Sequence, residues 1–229
     1  MSAAVSLTDA LAQAAEAFEQ ATGRRVAVSA AASNILAQQL IEGARADLFI
    51  SADERQMQRV VDAGLVDGPA VPLWRNQLVV IMPAGTAVEG PMPAALASPG
   101  VRRIAIGDPA GVPAGVYARD WLMRVNLWRE IEDRIVPSAS VRAALAAVAS
   151  GNADAGIVYR TDAMIQAGVT TVYEVTGDDA PAIVYPAAVP ASASDPETAR
   201  RLLAFLRDDE RARDAFARAG FILPDPAPR

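Results

Sequence analysis

Apolar positions along the chain repeat with two periods. Leu7, Leu11, Ala14, Ala15 and Phe18 recur at helical spacing and the pattern stops at Thr22-Gly23, which predicts a first helix. Arg25-Val26-Ala27-Val28 reads as a short strand. A second helix is expected from Asn34 to about Glu42, with Ile35, Leu36 and Leu40 inward and Gly43 as its stop. Asp47–Ser51 is a strand, and Glu54–Ala63 a helix closed by Gly64. Leu78-Val79-Val80-Ile81-Met82 is the clearest buried strand, while 84–100, rich in Pro, Gly, Ala and Ser, reads as loop with a short helix.

The second half continues the alternation. Arg103–Ile106 is a strand leading into Gly107-Asp108-Pro109, and a helix is expected from Gly115 to about Val125. Arg134-Ile135-Val136 is extended, Val141–Ser150 helical, and Ala155–Tyr159 a strand. Val169–Val175 and Ile183–Val189 are further strands, followed by helices at Asp195–Arg207 and Glu210–Ala219. Alternation of this kind predicts an α/β protein. No internal repeat is visible. The strong strands near 78–82 and 183–189 flank a middle block with its own strand–helix units. The expected organisation is therefore two lobes: 1–78 with 188–229 as a discontinuous lobe I, and 79–187 as an inserted lobe II. The chain would cross between them twice, and a ligand cleft would lie between the lobes.

Composition narrows the chemistry. The 229 residues include no cysteine and no histidine, and all 21 basic residues are arginine. Thiolate nucleophiles, soft metal sites, histidine bases, Schiff-base lysines and the lysine of a nucleotide P-loop are thereby excluded. Carboxylates, hydroxyls, arginines and the backbone remain, an inventory that suits binding better than catalysis. The net charge of −6 and the lack of a basic stripe disfavour nucleic acid as a partner. No apolar run is long enough to span a bilayer, and Met1–Val5 carries no signal-peptide pattern.

Several helix starts follow small polar or glycine-rich elements: Ser6-Leu7-Thr8-Asp9, which has capping-box form, Ser33-Asn34, Val112-Pro113-Ala114-Gly115, and Ser140-Val141-Arg142. Each offers unpaired N–H groups and the positive end of a helix dipole, so several aimed at one cleft would hold a small anion without formal positive charge. The plainer reading is that Ser6 and Ser33 are N-caps, worth ~1 kcal/mol each. Gly107-Asp108-Pro109-Ala110-Gly111 is only superficially a phosphate loop, and Tyr159, ending an apolar strand, reads by default as core. Asp47, Asp53, Asp108, Asp154 and Asp162 fall at strand ends or turns and match no metal-ligand spacing. Trp121 and Trp128 lie seven residues apart and are expected on one helical face.

The order of the segments adds a further signal. Ser6-Leu7-Thr8-Asp9-Ala10-Leu11, Ala31–Ala44 and Ala46–Asp53, then Gly107-Asp108-Pro109, Val112–Ala118, Ser140–Leu145, Gly156-Ile157-Val158-Tyr159, Tyr185-Pro186 and Ala219-Gly220-Phe221, together resemble the periplasmic molybdate-binding proteins of ABC importers. The likeness spans nearly the whole chain. It departs at the N-terminus, where five residues precede Ser6 and Val5 replaces an alanine, and at Asn34, where the family often has a small hydroxyl or glycine.

The resemblance implies a type II periplasmic-binding-protein fold and an oxyanion held by two serine hydroxyls, backbone N–H groups and a tyrosine hydroxyl. Carried over by motif, these are Ser6, Ser33, Ala114, Val141 and Tyr159. They would meet molybdenum only as molybdate or tungstate, never as a bare cation. No catalytic residue and no resident cofactor are implied. The implied partner is the membrane permease of an ABC importer, the implied location the periplasm, and the implied state a monomer. The alternative is the anion-sensing effector domain of a transcription regulator, disfavoured by the acidic charge and the lack of a helix-turn-helix ahead of Ser6. An enzyme using paired carboxylates on the same scaffold is a third reading.

Overall fold

The alternating strand and helix signals fold, in the computed structural model of the chain, into two α/β units; the structure describes residues 1–88 and 90–224. In chain order the elements begin with β1 (Ser2–Ala4), α1 (Thr8–Thr22), β2 (Ser29–Ala31), α2 (Ser33–Ile41), β3 (Phe49–Ile50), α3 (Glu54–Asp62) and β4 (Val71–Asn76). There follow β5 (Leu78–Pro83), β6 (Ile104–Gly107), α4 (Pro113–Arg124), α5 (Trp128–Ile131), β7 (Ile135–Ser138), α6 (Val141–Ala149), β8 (Ala155–Tyr159), α7 (Arg160–Met164) and β9 (Val169–Glu174). The chain closes with β10 (Ile183–Ala188), α8 (Pro196–Asp208) and α9 (Glu210–Arg218).

One unit comprises Met1–Arg75 and Ile183–Arg229, the other Asn76–Ala182. The second crossing therefore falls at 182/183, and β10, expected largely in the inserted lobe, pairs antiparallel with β3 in the sheet of the first unit. Residues 225–229, expected in lobe I, lie outside the described residues.

Each unit has one five-stranded mixed sheet, and the two sheets share a topology. The first runs β2-β1-β3-β10-β4 and the second β7-β6-β8-β5-β9. In the first, β1 pairs parallel with both β2 and β3; in the second, β6 pairs parallel with both β7 and β8. The antiparallel neighbour is β10 against β3 in one sheet and β5 against β8 in the other. The fold thus repeats an arrangement that the sequence does not, because the repeat is one of strand order and not of residue identity. The order reverses between β1 and β3 in one sheet and between β6 and β8 in the other, and such switch points open at the carboxyl ends of parallel strands.

Core packing explains the boundaries. On α2 the buried positions are Ser33, Leu36, Ala37 and Leu40, one stripe at i, i+3, i+4 and i+7, so Ile35 lies off it and is 46% exposed instead of inward. Four aromatic residues of the first unit gather in one cluster: Trp74 stacks on Phe216 with centroids 3.6 Å apart, and Phe221 meets Tyr185 edge-on at 5.5 Å and Phe216 at 5.3 Å. In the second unit β5 is buried from Leu78 to Met82, flanked by β8 and β9.

Three further expectations shift. The strand placed at Arg25–Val28 forms at Ser29–Ala31, because its register is set by β1 (Ser2 opposite Ser29) and not by its own valines. The helix expected from Gly115 starts at Pro113, whose ring fits the first helical position. Trp121 and Trp128 do not share a helix: α4 ends at Arg124, Asn126 takes a positive φ of 59°, and Trp128 opens α5. The loop over 84–100 carries a 3-10 turn at Ala94–Ala97, and residue 89 lies outside the described residues.

Candidate functional site

In the first unit the candidate hydroxyls sit at the carboxyl ends of adjacent parallel strands. β1 runs into a 3-10 turn, Val5–Leu7, that carries Ser6 ahead of α1, and β2 leads through Ala32 into Ser33 at the start of α2. Neither serine caps its helix. The cap of α1 is Leu7 and that of α2 is Ala32, and neither makes a side-chain cap bond. In the S-L-T segment it is Thr8 Oγ1 that bonds locally, donating to the Val5 carbonyl at 2.7 Å.

Both serine hydroxyls instead reach other strands. Ser6 Oγ lies 3.0 Å from the Tyr185 hydroxyl of β10, a contact buried beside the aromatic cluster. Ser33 Oγ accepts the Ala52 amide at 2.9 Å, from the turn that follows β3. Accepting there leaves the Ser33 O–H proton to donate elsewhere. The turn itself is braced: the Asp53 amide donates to Ser51 Oγ, which donates to the Asp53 carboxylate, and Gln56 N–H caps onto the same oxygen at 2.9 Å. Burial pushes the Asp53 carboxyl above its ordinary range, against the pull of those donors.

The helix-start amides of α2 belong to the same unit. Ile35 and Leu36 N–H both turn to the Ala32 carbonyl, at 3.0 and 3.1 Å. Those of Ser33 and Asn34 precede the first helical bond and have no acceptor among the described residues.

The second unit supplies the other three candidates at the equivalent strand ends. β6 leads to α4, whose first turn presents Ala114; β7 leads to α6, which opens at Val141; and β8 ends at Tyr159. The N-terminus of α4 is pressed against the end of β6. A Cβ on Gly115 would sit 1.8 Å from the Gly107 carbonyl oxygen, and one on Gly107 would meet Val112 Cγ1 at 2.6 Å. Only glycine at both positions lets the helix start so close to the strand. Gly115 and Val116 N–H bond to the Val112 carbonyl, so the Ala114 amide is left without an acceptor among the described residues.

At α6 Ser140 is a true cap, accepting from Ala143 N–H at 3.1 Å, while its carbonyl takes the Ala144 amide; the Val141 amide has no such partner. Ala114, Val141 and Tyr159 are all buried. Beside them Arg142 Nε donates to the carboxylate of Asp162, a side chain with 0% exposure on α7.

The remaining motifs have structural uses. In Gly107–Gly111 the amides of Ala110, Gly111 and Val112 all turn back to Asp108, so the segment is a tight turn and not a phosphate loop. Asp154 accepts the Arg102 and Arg103 amides. Asp47 accepts the Ser194 amide and hydroxyl, both at 2.7 Å, and the hydroxyl bond chiefly holds its pKa below the ordinary value. Among the described residues no three His, Cys, Asp or Glu side chains gather to hold a metal ion, and no helix is long and apolar enough to cross a membrane.

Sequence reasoning missed the partners of two of its candidates, Tyr185 behind Ser6 and Ala52 behind Ser33, and it missed the Arg142–Asp162 pair that follows Val141. Only Ser33 carried a readable signal, because it falls on the same helical stripe as Leu36, Ala37 and Leu40.

A pair of β/α units, each presenting donors at the ends of its parallel strands, is the frame of a solute-binding protein. The chain belongs to the bacterial extracellular solute-binding protein family, whose profile matches residues 1–222. Over 215 residues it is 38% identical to the molybdate-binding protein ModA of Haemophilus influenzae, covering 90% of this chain and 83% of that one. It is 35% identical over 228 residues to ModA of Escherichia coli, covering 96% and 87%. Among solved structures it resembles the periplasmic molybdate-binding protein of Azotobacter vinelandii, with a TM-score of 0.87, 26% identity and 98% of each chain covered.

Proposed function

We propose that this protein captures molybdate, and tungstate with it, and delivers it to the permease of an ABC importer in the bacterial envelope. Ser6, Ser33, Ala114, Val141 and Tyr159 are the residues proposed to hold the oxyanion. The observation that carries the reading is the state of the two serines. Their hydroxyls, buried at strand ends, do not cap the helices they open, and their neighbours at the helix starts are amides without acceptors among the described residues.

A site made only of hydrogen-bond donors suits an anion that has no proton of its own. Molybdate near neutral pH is a dianion with four acceptor oxygens. Phosphate keeps a proton at that pH; enclosed among donors alone, that proton would find no acceptor, at a cost of ~1–3 kcal/mol. Sulfate carries no proton but is smaller, so the same donors would reach it at stretched distances, where hydrogen bonds weaken steeply. Tungstate matches molybdate in charge and size and should bind alike. No redox or bond-making step is required of the protein, which acts as a carrier and not as an enzyme.

Closure around the ligand would remove water and strengthen each bond, and a closed, loaded shape is what a permease can distinguish from the empty one. Thermal unfolding with a panel of oxyanions tests the reading. Molybdate at 100 times its Kd should stabilise the fold by ~2.7 kcal/mol, a rise of roughly 5–10 °C for a chain of this size. No rise with molybdate, together with a clear one for phosphate or an organic anion, rejects it.

A further inference from the structure

The least expected charged group in the second unit is Asp162. Its side chain is wholly buried on α7, three residues beyond Tyr159, and it bonds the guanidinium of Arg142. Arg142 in turn occupies the first turn of α6, directly after Val141, and is itself only 25% exposed. Helical side chains lean toward the N-terminus of their helix. An arginine at this position would therefore extend its guanidinium toward the end of α6 that presents the Val141 amide. Guanidinium groups bind tetrahedral oxyanions through paired N–H groups with little regard for the anion's size or proton. Left to itself, Arg142 would add a strong, indiscriminate anion binder beside donors whose selectivity depends on fixed geometry. The Asp162 carboxylate instead holds that guanidinium in an ion pair.

We propose that Asp162 is a specificity-determining residue: by engaging Arg142 it keeps the guanidinium away from the bound oxyanion and leaves selection to neutral donors. The inference rests on the molybdate reading above and deepens it. It also accounts for an ion pair with a fully buried carboxylate on the arginine that directly follows Val141. Asp162 without Arg142 would repel the ligand, Arg142 without Asp162 would seize any dianion, and the pair together does neither.

The two charges therefore have opposite expected effects, which a simple packing role would not produce. Calorimetric titration of the full chain with molybdate and with sulfate is the test, on wild type, Asp162→Asn, Arg142→Gln and the double variant. In Asp162→Asn sulfate affinity should rise about tenfold or more, equivalent to ~1.4 kcal/mol. That gain should shrink but not disappear on raising the ionic strength from about 0.01 M to about 1 M, because a guanidinium only 25% exposed is screened less than a fully solvated one. In Arg142→Gln both anions should bind at least about tenfold more weakly, since a buried carboxylate is left facing them. The double variant should recover the wild-type preference for molybdate over sulfate.

An unchanged preference in Asp162→Asn, or a parallel loss of both anions in both single variants, overturns the inference. Should Asp162→Asn fail to fold, Arg142→Gln and the double variant decide: weakening in the first without recovery in the second overturns it. Wild type that gives no heat with molybdate rejects the ligand reading itself, and this inference falls with it.

Discussion

Replacing Ser33 by alanine removes one oxygen with two separable duties. Towards the protein, Ser33 Oγ accepts the buried Ala52 amide at 2.9 Å. Its loss leaves that N–H without a partner, a cost of ~1–3 kcal/mol in stability. Towards the ligand, it is proposed to donate to a dianion, and hydrogen bonds to charged groups are worth ~1.5–3 kcal/mol, so affinity should fall by about ten- to 150-fold. Helix propensity does not confuse the result, because alanine is a good helix former and the cap of α2 is Ala32. Calorimetry with molybdate and urea unfolding of the same preparation read the two effects separately. Asp195→Ala is the control: its carboxylate accepts from Thr198 N–H at 3.0 Å as a true cap of α8, so it should lose stability and no affinity. A Ser33→Ala protein that loses stability yet binds molybdate as tightly as wild type would refute the donor role.

Three other outcomes are expected. Tyr185→Phe keeps the ring against Phe221 but removes the partner of Ser6; stability should drop by ~0.5–1.5 kcal/mol in urea unfolding, with a weaker molybdate isotherm. Gly115→Ala drives a Cβ into the Gly107 carbonyl at 1.8 Å, so the unfolding midpoint should fall by the upper end of the ~1–3 kcal/mol typical of overpacking, or by more, and binding should weaken as Ala114 is displaced. Asp53 has a folded pKa raised above 3.8 by burial, so the folded state holds its proton longer and this residue's contribution to stability declines as pH rises from 3.8 through the folded value. Asp53→Asn should therefore be more stable relative to wild type at about pH 7 than at about pH 4, read from urea midpoints; the opposite trend would show that the carboxylate is favoured by its donors instead.

Where the sequence was legible, one physical signal dominated. Leu78–Met82 is apolar at every position and lies deep in a sheet, so a continuous run suffices to identify it. α1 ends at Gly23 with a left-handed φ of 69°, a stop that only glycine supplies cheaply. Legibility failed where a partner chose the register. β2 has exposed residues and gains its place from β1, so Val26 and Val28 were a false lead. Asn126 breaks a helix by adopting a left-handed conformation open to asparagine, and so separates two tryptophans that spacing alone would join.

The helix starts that carry the candidate residues were legible, and the contacts that support them were not. The spacing of polar residues to helix starts singled out four segments, and the family resemblance picked Ser6, Ser33, Ala114 and Val141 within them, but a serine before a helix is the same sequence signal whether it caps or not. Only the contacts distinguish Ser140, which does cap, from Ser33, which reaches Ala52 nineteen residues away. Tyr185 is 179 residues from Ser6, and Asp162 is twenty from Arg142; separations of that kind leave no local pattern. The repeated strand order of the two sheets is invisible for the same reason.

The central claim is that neutral donors hold a proton-free tetrahedral dianion. Calorimetric titration of the full chain with molybdate, tungstate, sulfate and phosphate, at low and high ionic strength, tests it most directly. One molybdate or tungstate per chain, much weaker sulfate, no phosphate, and little dependence on salt are expected. Binding that favours phosphate, or a molybdate affinity that collapses as salt is added, would contradict it.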